Sequence, residues 1–299
     1  SLKKENFYMV ENTVDGKFFV TARGWEDLSE ILKSYEELQV EIGEELIGEF
    51  LQKEEIARDF AGYYRLYEKY KSDYQIQEIL DGNVISGQLK TCCDMGKKAS
   101  FEERFTVTEM LLEAVTERIS VFQKTDEKTE KLYENLKLLK IFLQEKNSVE
   151  AMEQFVASRR KALDAKICSE LLTAEEAARE EEQIRILEEY FFQLKELHIS
   201  DVAEGIEQIG ERFGNVCRLR NEKLEETKKM LEQAFSFLEE CFGEGQELLL
   251  FETGLTGDDR CSIFISQYGC PSYFKHCELL LYSKKENEMR KECRDLLEE

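Results

Sequence analysis

The sequence predicts a mainly α protein: a small helical domain with a short β-hairpin, then a long-helix bundle or coiled-coil hairpin with a small C-terminal α/β element. A single proline, Pro271, occurs in 299 residues, and proline is the residue that breaks helix interiors. Charged residues make up 35% of the chain and hydrophobic residues 42%, the mixture expected of amphipathic helices around a sizeable core. Apolar side chains also recur at three- and four-residue spacing through most of the length. A chain this long is expected to hold two units, here residues 1–80 and 101–299, joined by a linker over 81–100.

The first unit opens with two β-prone runs, Phe7-Tyr8-Met9-Val10 and Lys17-Phe18-Phe19-Val20. The segment between them ends in Asp15-Gly16, a hairpin signal. Thr21 then offers an N-cap to a helix with Trp25, Leu28, Leu32 and Tyr35 at helical spacing. A second, short helix should hold Leu46, Phe50 and Leu51. In a third, Ile56, Phe60, Tyr63, Tyr67, Tyr70 and Tyr74 make one stripe. That stripe reads as a packing seam with hydroxyls at its edge rather than as an aromatic binding surface. From Asp81 to Ser100 the periodicity lapses, and Gly82, Gly87 and Gly96 among polar residues predict a loop. The adjacent Cys92 and Cys93 inside it read as incidental thiols.

Long amphipathic stretches follow. Leu112, Val115, Ile119 and Phe122 form one stripe, and Leu132, Leu136, Leu139 and Leu143 the next. Ile184, Leu187, Phe191 and Leu194 line a third, and Leu231, Ala234, Leu238 and Cys241 a fourth. Such spacing fits antiparallel helices packed at shallow angles. The acidic run Glu175 to Glu182 reads as a solvated face. Beyond Gly243, Leu248 to Phe251 resembles a buried strand and Gly254 to Asp259 a loop. Two short helices are expected, over Ser262 to Tyr268 and Ser272 to Tyr282, interrupted at Gly269-Cys270-Pro271. A charged helical tail is expected from Glu286.

Composition bounds the function. A formal charge of -23 repels nucleic acid and anionic lipid, and no basic cluster offsets it. No segment approaches the roughly 20 apolar residues of a membrane span, and no signal peptide is evident at the start. Ser1 in place of an initiator methionine suggests a processed or truncated chain. Nine cysteines, an odd number spread widely, read as reduced thiols in the cytoplasm.

Motifs for chemistry are scarce. Gly16-Lys17 and Gly96-Lys97 are followed by Phe18 and Lys98, so neither completes a phosphate-binding loop. There is no nucleophile elbow. Cys261, Cys270, His276 and Cys277 could supply four zinc ligands, but there is no Cys-x-x-Cys pair. Adjacent His276 and Cys277 would also diverge by about 100° on a helix. No metal is expected. His276 reads as a surface or interhelical imidazole and His198 as the border of a helix stripe. Arg23 stands apart, because the first turn of a helix disfavours a cation unless an anion sits opposite. Glu26 and Asp27 could equally balance it.

The opening run from Asn6 to Ser29, containing Ala22-Arg23-Gly24-Trp25, resembles the lid region of bacterial MoxR-type AAA+ ATPases. Tyr70-Lys71-Ser72-Asp73-Tyr74 is similar to the end of that lid. Glu252-Thr253-Gly254-Leu255-Thr256 and the run Phe264 to Phe274 resemble the C-terminal extension of a subgroup. Across 101–240 the likeness is thin. The resemblance implies that Arg23 is a sensor-2 arginine, a catalytic and nucleotide-contacting residue reaching the γ-phosphate of ATP on a separate core. It further implies Mg-ATP as substrate, a hexameric ring and chaperone-like remodelling with von Willebrand A-domain partners. The core with its Walker motifs is missing from this chain, which alone should not hydrolyse ATP. The alternative from the residues is a free-standing helical scaffold or adaptor.

Overall fold

The computed structural model describes residues 7–13, 16–82, 86–143 and 147–277. Strands β1 (Met9–Thr13) and β2 (Gly16–Val20) pair antiparallel, with Met9 opposite Val20 and Val10 opposite Phe19. They are the only strands among the described residues. Helices α1 (Ala22–Glu37), α2 (Glu44–Phe50) and α3 (Glu54–Tyr74) follow, then the short α4 (Ile76–Asp81) and α5 (Ser86–Gly96). The long α6 (Phe101–Phe142) leads into α7 (Ser148–Cys168) and α8 (Ala174–Glu196), and the long α9 (Val202–Phe242) returns. Helices α10 (Gln246–Gly257) and α11 (Asp259–Tyr268) and a helical segment over 271–277 complete the described chain.

Apart from α3, whose N-cap Lys53 makes no capping bond, the longer helices start where a short polar side chain can satisfy the free amides of the first turn. Thr21 accepts from Gly24, Ser100 from Glu103 and Asn147 from Glu150. Thr173 and Glu176 form a reciprocal capping box at α8. Asp201 accepts from both Ala203 and Glu204 at α9. Gly269 ends α11 with φ at +77°, a conformation that a side chain resists, and Pro271 follows it.

Apolar burial falls into three clusters. The first holds Val20, Leu28, Leu32, Ile47, Leu51, Ile56 and Tyr64, packing the hairpin with α1, α2 and the front of α3. The second joins Val107 to Phe122 of α6 with Met230 to Cys241 of α9, under α4, α5, α10 and α11. The third lies at the far end of the long pair, where Leu132 to Leu143 meet α7, α8 and Ile209. The start of α6 therefore lies beside the end of α9, and the two run antiparallel. At 42 residues, α6 spans about 63 Å at about 1.5 Å per residue.

Between the second and third clusters the seam turns polar. Arg220 of α9 donates from Nε to Asp126 of α6 at 2.7 Å and from Nη2 to the Tyr268 hydroxyl at 2.7 Å. Tyr268 in turn donates to the other Asp126 oxygen at 2.7 Å. The guanidinium lies 5.4 Å from the rings of both Phe122 and Tyr268. Burial opposes its charge, but Asp126 outweighs that and holds Arg220 above the usual arginine range.

Most of the expected elements are present, and several expectations are corrected: the loop expected over Gly254 to Asp259 shrinks to Asp258, because α10 runs on through Gly257 and α11 starts at Asp259. Leu248 to Phe251 is helical, inside α10; a short unbroken apolar run suits a buried helix as well as a strand, and Leu248 and Phe251 are both buried. The C-terminal element is thus α rather than α/β over the described residues. The expected loop between Asp81 and Ser100 contains α5, with Cys92 and Cys93 buried against α9. A short helix that buries small residues shows little apolar periodicity. In the α3 stripe Tyr63 is half-exposed and the neighbouring Tyr64 takes the buried place. The hairpin turn at Val14-Asp15 and the tail from Glu286 lie outside the described residues.

Replacing Asp126 with alanine leaves Arg220 without its carboxylate partner. A loss of about 1–3 kcal/mol in urea unfolding is expected, and Arg220→Lys should not retain the full stability because it cannot serve both partners at once.

Candidate functional site

The residues Ala22-Arg23-Gly24-Trp25 occupy the first turn of α1, and each has a different fate. Gly24 lies where α1 crosses the end of α2. A Cβ there would stand 2.9 Å from the Phe50 carbonyl oxygen, so the approach requires glycine. Trp25 turns inward, 5.9 Å from the Phe7 ring and 5.1 Å edge-on to Phe60 of α3. It thereby ties the hairpin side of the unit to α3. Arg23 points outward with its side chain 80% exposed. Its Nε donates to Asp27 one turn along, at 3.2 and 3.4 Å to the two oxygens. Both sequence-level readings of Arg23 therefore survive: Asp27 balances it, and the guanidinium is free to meet an anion from outside.

The hairpin presents an apolar outer face. Val10 and Phe19 form a directly opposed cross-strand pair, and both are about half exposed. Tyr8 adds to this surface. The opposite face carries Met9 and Val20 into the first cluster, as the two-residue alternation of a strand requires. Lys53 secures this unit by donating to Glu11 at 2.6 Å.

A cleft of about 1540 Å³ runs between α3, α6 and the junction of α10 and α11. Glu109, Glu113 and Glu117 line it on successive turns of α6, with Tyr67 and Lys71 of α3 among the other residues. Desolvation, reinforced by Glu113, pushes the Glu109 carboxyl up. Burial works against the charge of Lys71, yet Glu36 and Glu68 together hold it above the ordinary lysine range. Arg260 is engaged by Asp258 at 2.8 Å. Lys33 and Lys124 also line the cleft, so cations and the three α6 carboxylates face the same space, and the carboxylates repel an entering polyphosphate.

The cysteines and histidines do not assemble as a zinc site. Cys261 contacts Thr116, Cys270 contacts Glu232, and His276 is committed to Glu239. Among the described residues no group of three or more His, Cys, Asp or Glu side chains could hold a metal ion. His198 is exposed just past the end of α8, with φ at +55° and Nδ1 2.9 Å from the Lys195 carbonyl oxygen. His276 is buried rather than superficial. Its cluster with Glu239 and Glu252 was not legible in the sequence, because carboxylates among 64 Asp and Glu carry no signal until the helices bring them together.

The chain matches no protein-family model, and no curated protein or solved structure matches it. No helix among the described residues is long and apolar enough to cross a membrane.

The separate roles within the first turn of α1 lead to opposite expectations for two neighbouring substitutions. Gly24→Ala should lower the thermal midpoint, losing about 1–3 kcal/mol to the clash with the α2 carbonyl. Arg23→Ala should stay within about 0.5 kcal/mol of the parent. Thermal melts of the two variants side by side check this.

Proposed function

We propose that this chain is the lid and helical extension of a MoxR-type AAA+ ATPase. In this reading Arg23 reaches from the lid to ATP held on a separate core. The observation that carries the reading is the division of labour in Ala22-Arg23-Gly24-Trp25. Gly24 and Trp25 are consumed by packing, while the guanidinium between them and the helix start is left 80% exposed on a fixed first turn. A cation so placed opposes the helix dipole, and an anionic ligand on a docked core would relieve that. The exposed pair Val10 and Phe19 lies on the same unit and gives such a core an apolar surface to cover.

The chemistry assigned to Arg23 is stabilisation of charge on the transferring phosphoryl group. That contribution is electrostatic and strengthens in the transition state. The core supplies the Mg-ATP site, and ring assembly as a hexamer belongs to the whole protein. Helices α6 to α9 then form the projecting extension that contacts a client or a partner such as a von Willebrand A-domain protein, in chaperone-like remodelling. A cytoplasmic location fits the eight described cysteines, all of which are free thiols.

The test is to join this chain to the reading frame encoded immediately upstream and measure ATP turnover. Arg23→Ala should lower kcat about 10-fold or more with the fold intact, and Arg23→Lys should restore part of it. Equal turnover in parent and variant rejects the sensor role. A natural start codon at this N-terminus, with no ATPase core upstream, favours the helical scaffold instead.

A further inference from the structure

At their starts, α6 and α10 lie side by side and enclose a groove. They run in the same direction: Arg104 pairs with Glu247 at 3.2 Å, and further along both helices Leu112 meets Gly254. A Cβ on Gly254 would stand 2.2 Å from a Leu112 methyl, so the helices touch there. Toward the helix starts the seam holds a concavity of about 310 Å³, lined chiefly by Phe101, Phe105, Leu249, Leu250 and Thr253. The Phe101 and Phe105 rings are 6.2 Å apart. Phe101 is 56% exposed, Leu249 47% and Phe105 37%. Single exposed apolar side chains are ordinary on a protein surface, but contiguous ones around a concavity mark a docking site.

The shape of the occupant follows from what already lies on α10. Leu249, Thr253 and Thr256 recur at four and three residues, which places them on one stripe of that helix. At Thr256 the stripe is met by Tyr273 of the helical segment over 271–277, hydroxyl to hydroxyl at 2.7 Å. A helix thus packs on one end of the stripe, and the groove is its uncovered continuation. Across from Leu249, Phe101 and Phe105 stand one turn apart on α6. Two helices that present such rows to a shared groove receive the apolar face of a third helix.

Charge sets the chemistry of that helix. Arg104 and Glu247 neutralise one another within the seam. Around it Glu102, Glu109, Glu240 and Glu244 are exposed, against Lys97 and Lys98 ahead of α6. Lys275 is taken by Glu239. The whole chain carries a formal charge of -23, so a cationic segment is drawn in and an acidic one is turned away. We propose that the groove between α6 and α10 receives an amphipathic helix of a partner protein, with leucine-like anchors on one face and Lys or Arg flanking them. The proposal stands apart from the nucleotide reading, because it uses no residue of the first turn of α1 and either can fail without the other.

Fluorescence anisotropy on the full chain tests this with a labelled synthetic peptide of about 18 residues, five helical turns. The peptide carries Leu at i, i+3, i+4 and i+7 spacing and Lys elsewhere, and its counterpart carries Glu in place of Lys. At about 0.15 M salt the Lys peptide should bind, and Phe101→Ala, Phe105→Ala and Leu249→Ala should each weaken it about 10-fold. Ile141→Ala, which removes an exposed apolar side chain at the far end of α6, should leave binding unchanged. The Glu peptide should bind at least about 10-fold more weakly. Any one groove variant with a parent-like thermal midpoint is enough to read the result. No binding to the parent overturns the proposal, as does equal affinity in the parent, the groove variants and Ile141→Ala, which would mean general attraction to an acidic chain. A Glu peptide that binds as tightly as the Lys peptide also overturns it. So does a full chain with Leu280→Glu and Leu281→Glu that binds the Lys peptide about 10-fold more tightly, since the groove would then belong to this chain's own residues.

Discussion

Two long helices, α6 and α9, run antiparallel and bury one another along a shared apolar seam, and every other element is placed by what remains uncovered. Neither helix could hold its length alone, since isolated helices in water draw most of their stability from tertiary packing. At one end Val115, Ile119 and Phe122 meet Leu231, Phe235 and Leu238, and α4, α5, α10 and α11 close over them. At the other end Leu132, Leu139 and Leu143 leave a flank that the α7–α8 pair covers. Arg220, Asp126 and Tyr268 sit where the apolar contact is interrupted. Their geometry draws α6, α9 and α11 to one point, which a looser apolar contact would not specify so narrowly.

Helix α3 belongs to two cores. Its front half, through Ile56, Ala57, Ala61 and Tyr64, packs in the hairpin unit. Its end, at Tyr74, is buried in the α6–α9 body, where the Tyr74 hydroxyl donates to Glu103 at 2.9 Å. Tyr64 similarly donates to Glu36 at 2.8 Å, linking α3 back to α1. The first turn of α1 therefore connects through Trp25 and Phe60 to one rigid helix that is anchored in the body. In the proposed reading, this is the route by which contact at Arg23 would be felt in the extension, and coupling of that kind rests on packed elements rather than on distance.

Legibility in the sequence tracked how local each signal was. The cap at Thr21 and the four long stripes depend on neighbours within a turn or two. Apolar spacing therefore located the helices and most of their buried faces. Leu248 to Phe251 misled because a short, continuous apolar run has no period to read. The helix α5 escaped for a related reason: among its described side chains the buried hydrophobic ones are Cys92 and Cys93, which make no stripe of large residues.

What the sequence determined by itself was the class of the fold, the helix start at Thr21 and the candidate standing of Arg23, all consequences of spacing and local hydrogen bonding. The tertiary structure decided which charges are exposed and which are trapped. Arg23 and Arg220 are the same residue type, yet one projects into solvent and the other is clamped between α6 and α11. Glu252 differs from the many solvated glutamates because the fold leaves it only 4% exposed on α10. Burial is set by elements that meet from distant parts of the chain, and the free energy of a charge depends on burial more than on its sequence neighbours.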